Sequence, residues 1–126
     1  MIELFSANTP NGKKISIMLE EIGYNFKVTK VNIDKGEQFK ENFKKISPFS
    51  KIPVIIDHKN NTSIFESGAI LMYLGEKSGK FFPQNSPEKE KVLEWLFWQV
   101  GGLGPMAGQV SHFVNYAPNF PGDHSY

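Results

Sequence analysis

Residues 50–71 read "SKIPVIIDHKNNTSIFESGAIL", and the architecture turns on how this stretch is parsed. The run Val54 to Asp57 is β-branched and apolar, with a proline before it and the turn-like composition "HKNNT" after it, which predicts a buried strand. A brief second strand, Ser63 to Phe65, returns antiparallel to it as a hairpin. That strand runs directly into a helix starting near Glu66, which carries Ile70, Tyr73 and Leu74 on one face and ends at Gly79. The stretch therefore predicts a β-β-α unit in which a strand turns into a helix without a loop.

Upstream, Ile2 to Ser6 reads as a strand that ends in the turn Asn8 to Gly12. Ile15, Met18, Leu19 and Ile22 follow at i, i+3, i+4 and i+7, one face of a helix that Gly23 stops. Phe26 to Ile33 predicts a second strand, and Glu37 to Ile46 a short helix burying Phe39, Phe43 and Ile46. The order β-α-β-α-β-β-α is satisfied by a small mixed sheet with helices on both faces, the α/β arrangement called thioredoxin-like, over residues 1–80. Beyond the linker "FFPQNSPE", Ser86 suits an N-cap and Pro87 the first position of a long apolar helix. Gly101, Gly102, Gly104 and Pro105 should bend or interrupt it. "MAGQVSHFVNY" can resume a helix, and "APNFPGDHSY" reads as loop.

A chain of 126 residues holds about one domain and at most a fragment of a second. The formal net charge is +1, and the lysines are interspersed with acidic residues rather than gathered in a stripe, so nucleic acid is not the expected partner. The first residues lack a basic segment followed by an apolar one, and no apolar run is long enough to span a bilayer. A soluble cytoplasmic protein is expected. With no cysteine, the chain has no disulfide, thiolate metal site or cysteine nucleophile of its own. Thiol chemistry must come from a ligand. His58, His112 and His124 share no helical or hairpin spacing, and no metal is expected. Trp95, Phe97 and Trp98 read as core or dimer contacts, and Lys13 and Lys14 as a solvated helix face.

Three places carry more chemistry than packing requires. Thr9 and Pro10 suit the N-cap and first position of a helix, leaving the N–H groups of Asn11 and Gly12 to favour an anion; a plain helix start explains the same residues. Pro53 before a buried strand is either an edge feature or a cis peptide in a tight bend. Glu66, Ser67 and Gly68 place a carboxylate beside a hydroxyl and a helix N-terminus, which together match an amino acid zwitterion, although either residue alone could simply cap the helix.

With these residues in order and spacing, the chain resembles the glutathione transferase superfamily. "FESGAIL" is similar to its glutamate-serine signature and "KIPVI" to its cis-proline segment. "TPNGKKI", "GEQF", "ISPFSKIP" and "WLFWQVGGLGPMAGQ" are closest to the nu class, the bacterial disulfide-bond reductase type, whose relatives include a yeast nitrogen-regulation prion protein. The resemblance implies that Glu66 and Ser67 take the γ-glutamyl ammonium and carboxylate of glutathione. It implies that the Ile52 backbone, before cis-Pro53, pairs with the cysteinyl unit, that Gln38 and Lys51 reach the glycyl end, and that Thr9 and Asn11 face the sulfur, with Ser6 as the rival hydroxyl. It further implies that residues 87–126 begin an all-helical second domain, that the chain is a fragment of a protein of about 200 residues or more, and that the protein is a homodimer. The implied activity is disulfide reduction or glutathione transfer, with a glutathione-binding regulatory domain as the alternative and the second substrate open.

Overall fold

Alternation along β1 (Ile2–Ser6) sets the layers. Ile2, Leu4 and Ser6 are buried on one side, and Glu3 and Phe5 face the other. Strand β2 (Phe26–Lys30) runs parallel to β1, so the chain must cross over the sheet between them, and α1 (Pro10–Ile22) makes that crossover. Strands β3 (Val54–Asp57) and β4 (Thr62–Phe65) add antiparallel neighbours, giving the order β2-β1-β3-β4. Leu4 pairs with Ile55 and Phe5 with Val54, and the pleat sends these two pairs to opposite faces. One face packs Ile2, Leu4 and Ile55 against Ile15, Met18, Leu19 and Ile22 of α1 and Ile70 and Leu74 of α3 (Ser67–Ser78). The other packs Val54, Phe5 and Phe65 against Val31, Ile46 and Phe43, the last from the single-turn helix α2 (Glu41–Lys44). This is the thioredoxin-like architecture. The computed structural model describes residues 1–122 and divides into two units, Met1–Gln84 and Asn85–Tyr126.

Between β2 and β3 the chain departs from the predicted pattern. Strand β2 stops at Lys30, because Asn32 caps a 3₁₀ turn over Ile33–Lys35 with its side-chain oxygen. The predicted helix from Glu37 is split into a 3₁₀ turn, Glu37–Phe39, and α2, with Lys40 extended between them at φ −65° and ψ 140°. Phe39 consequently points to solvent, 61% exposed, while Phe43 is buried as expected.

At the far end of β3, Asp57 is buried. Its carboxylate accepts hydrogen bonds from the Tyr73 hydroxyl at 2.6 Å and the Lys59 N–H at 3.0 Å, and pairs with the Lys77 ammonium at 2.9 Å. Burial pushes its pKa up, but these donors outweigh burial and hold it at about 2. Nearby, His58 lies 3.0 Å from the Glu3 carboxylate rather than near another histidine; His124 lies outside the described residues.

In the second unit α4 (Glu88–Trp98) follows a cis Ser86–Pro87 bond. Ser86 hydrogen bonds to the Glu90 side chain and makes no backbone cap, so its predicted capping role is replaced by a side-chain pair. Pro105 has no N–H, and a regular helix cannot run through it. The chain instead widens into a π turn, Gln99–Leu103, in which the Gly104 N–H donates to the Gln99 carbonyl, and then resumes as α5 (Gly104–Ser111). A second π turn, His112–Tyr116, and a 3₁₀ turn, Ala117–Asn119, continue the coil where loop was predicted. Trp95 and Trp98 stack edge to face, and with Phe97 they are more than half exposed, so they form no core within this chain. Among the described residues no helix is long and apolar enough to cross a membrane.

Candidate functional site

Helix α1 starts hard against the end of β1. Thr9 is extended, at φ −128° and ψ 159°, and its hydroxyl accepts the Gly12 N–H at 3.1 Å, while Pro10 fills the first position where no donor is needed. Gly12 is buried under this turn. A β-carbon there would lie 2.2 Å from Ser6 Oγ and 2.6 Å from the Ala7 carbonyl oxygen, and the latter, being backbone, cannot step aside. We therefore expect Gly12→Ala to lower the unfolding free energy by about 1–3 kcal/mol despite alanine's better helix propensity. Gly108→Ala, which meets nothing within 4 Å, is the control and should be neutral or stabilising; equal urea midpoints for the two variants would refute the close-approach argument.

The second wall is a loop held by one hydroxyl. Ser47 is wholly buried; its Oγ donates to the Lys51 carbonyl at 2.7 Å and accepts the Lys51 N–H at 3.0 Å. This clamp delivers Ile52 and the cis Ile52–Pro53 bond to the head of β3. The sheet register begins at Val54, so the Ile52 backbone lies outside the ladder.

The third wall is the β4-to-α3 junction. Glu66 sits between them at φ 72° and ψ 117°, a region that side chains disfavour, and its side chain makes no cap hydrogen bond. Its carboxylate is exposed, and Ser67 opens the helix as a buried residue. A cleft of about 150 Å³ lies where the three walls meet, lined by Asn11, Ser47, Lys51, Ile52, Pro53, Phe65, Glu66 and Ser67. It offers a side-chain amide, free strand-like backbone, a carboxylate and a helix N-terminus. Such a set suits a peptide with an amino acid zwitterion at one end.

Residues 1–76 match the family described as glutathione S-transferase, N-terminal domain. The chain belongs to the glutathione S-transferase family. It is 51% identical over 123 residues to the disulfide-bond oxidoreductase YfcG of Escherichia coli (strain K12), which covers 94% of this chain and 57% of that protein. A glutathione transferase family member from Pseudomonas fluorescens pf-5, solved with two glutathione bound, superposes with a TM-score of 0.90 at 43% identity over 97% of this chain and 56% of that one. A glutathione transferase from Pseudomonas putida, solved with one glutathione disulfide bound per subunit, gives 0.89 at 44% identity over 97% and 55%. The chain spans about half the length of the relatives it matches.

Of the residues that the transferase resemblance assigned to the site, six line the cleft together: Asn11, Lys51, Ile52, Pro53, Glu66 and Ser67. Thr9 is the cap of α1 and is not among the lining residues; its hydroxyl still has its proton to donate. The Gly12 N–H, expected to be free for an anion, is taken up by that cap. Gln38 is also outside the lining, with its Nε2 donating to the Ile33 carbonyl at 3.2 Å and its Oε1 buried without a partner. Ser6 is turned away, donating to the Ala7 carbonyl. Ser47 and Phe65 were not anticipated. Phe65 was signalled by its place directly before Glu66, and Ser47 by a serine preceding a proline turn four residues before Lys51. Lys14 also departs from its reading: it is half-buried rather than solvated, and burial lowers its pKa while the Glu66 carboxylate raises it. Among the described residues no cluster of three or more potential metal ligands occurs.

Proposed function

We propose that the cleft binds glutathione and that the protein containing this chain uses the bound thiolate to reduce disulfides, with transfer of glutathione to electrophiles as a second outcome of the same activated sulfur. The observation that carries the reading is the convergence of Asn11, Ile52, Glu66 and Ser67 on one cleft. Relatives of the same fold are solved with glutathione or glutathione disulfide bound, and one is named a disulfide-bond oxidoreductase. Glu66 receives the γ-glutamyl ammonium, and Ser67 with the α3 N-terminus receives the α-carboxylate. The Ile52 backbone pairs with the cysteinyl unit, and Lys51 lies toward the glycyl carboxylate. Gln38 assists at that end after release from Ile33.

Asn11, with Thr9 behind it, faces the sulfur and favours its ionised form. A free thiol titrates near pH ~8.5, and about 1.4 kcal/mol of preferential interaction with the thiolate lowers that by one unit. The thiolate attacks one sulfur of a substrate disulfide. A glutathione mixed disulfide forms and the other substrate sulfur leaves as thiolate; a second glutathione thiolate resolves the mixed disulfide, giving glutathione disulfide and the second substrate thiol. Two glutathione molecules are oxidised for one disulfide reduced.

Asn11→Ala is expected to raise the pKa of the bound thiol by about one unit and to lower turnover while glutathione affinity changes little, since the amide serves the sulfur and not the peptide ends. Thiolate absorbance titrated against pH measures the first effect. Identical titrations in variant and wild type would move the role to Thr9. The exposed apolar side chains Trp95, Phe97, Trp98 and Met106 support a homodimer, and glutathione chemistry with no cysteine of its own fits the reducing cytoplasm. Sedimentation at micromolar concentration tests the former.

A further inference from the structure

Lys14 is half-buried while Lys13 before it and Ile17 after it are exposed. It follows Asn11 by three residues and precedes Met18 by four, and residues at these spacings share a helix face. Asn11 lines the cleft and Met18 is packed in the core. The Lys14 side chain therefore leaves α1 between cleft and core, its methylene stem covered and its ammonium directed to the polar side. Helix α1 packs against α3, whose N-terminal junction carries Glu66 and Ser67. The Lys14 ammonium and the Glu66 carboxylate interact electrostatically, and burial strengthens any such interaction by removing water.

A lone carboxylate at that junction would accept any ammonium, including a bare amine. A cation beside it alters the selection. It repels a ligand that brings only positive charge, and it attracts one whose ammonium has a carboxylate on the next atom. We propose that Lys14 is a specificity-determining residue of the cleft, admitting an ammonium at Glu66 only as part of an α-amino acid zwitterion. This rests on the glutathione reading and extends it to a residue outside the lining of the cleft.

The test is isothermal titration of the full chain with two peptides, glutathione and 4-aminobutanoyl-cysteinylglycine, which is glutathione without its α-carboxylate. Wild type should prefer glutathione. Lys14→Gln keeps the stem and its packing but removes the charge, and it should reduce the ratio of the two affinities by about tenfold, the scale of one charge-assisted contact. Part of that change should appear as a gain for the amine-only peptide, which simple damage to the site cannot produce. Lys14→Arg should restore the wild-type ratio. Wild type that binds neither peptide overturns the glutathione assignment itself. Wild type that binds glutathione, with an unchanged ratio in Lys14→Gln, overturns the role of Lys14 and leaves that assignment standing.

Discussion

Glu66→Gly is expected to make the chain more stable and unable to hold glutathione. Glu66 occupies φ 72° and ψ 117° at the β4-to-α3 junction, where a β-carbon crowds the backbone at a cost on the order of 1–3 kcal/mol. Glycine meets no such crowding, and its greater freedom in the unfolded chain returns only about 0.5–1 kcal/mol. The net expectation is a gain of about 1 kcal/mol, read as a higher denaturation midpoint. The carboxylate that receives the ligand's ammonium is lost at the same time. Glu66→Gln separates the two effects: it keeps the backbone conformation and the side-chain shape, so its midpoint should match wild type while glutathione affinity falls about 30-fold. A glycine variant that melts below wild type would remove the strain argument, and a glutamine variant that binds as wild type would remove Glu66 from the site.

The largest loss of stability is expected at the opposite end of the sheet. Asp57→Ala leaves the Tyr73 hydroxyl, the Lys59 N–H and the Lys77 ammonium without their common acceptor. Breaking a buried charge cluster by removing one partner costs about 3 kcal/mol or more. The same carboxylate gives the fold an acid limit. Its folded pKa of about 2 lies below the ordinary 3.8, so the folded state binds the proton less readily than the unfolded chain. The stabilisation it contributes, about 2 kcal/mol from that displacement, is complete above pH ~4 and is lost as pH falls from there through 2. Denaturation midpoints of wild type should therefore drop between pH 4 and 2 more steeply than those of Asp57→Asn, which has no charge to lose there. Parallel profiles would show that the cluster carries no such linkage.

Local chemistry made most of the fold legible. Helix α1 was bounded by Thr9, Pro10 and Gly23, three residues whose backbone preferences agree with the packing of Ile15, Leu19 and Ile22, so propensity and burial pointed the same way. The β3–β4 hairpin was likewise fixed by a turn and by strand parity. Residues 31–46 were misread because the helical spacing of Phe39, Phe43 and Ile46 competes with Gly36 at positive φ and extended Lys40, and here the turn residues won. In the site, residues brought in by elements far apart in sequence were assigned through family resemblance, since no spacing links Asn11 to Glu66. Lys14 was missed for a related reason. Its surroundings are set by α3, more than fifty residues away, and a lysine on an amphipathic helix carries no mark of what it faces. Ser47 was hidden because its role is to bond the backbone of its own loop.

That last arrangement bears on how a ligand is met. With both Lys51 backbone groups already bonded to one buried hydroxyl, residues 47–51 are ordered before anything enters the cleft. A peptide docking along Ile52 therefore loses only its own conformational freedom and not that of the wall it meets. Small contacts can then suffice for binding, and association should proceed at a rate set by encounter, with no slower step in which the protein rearranges.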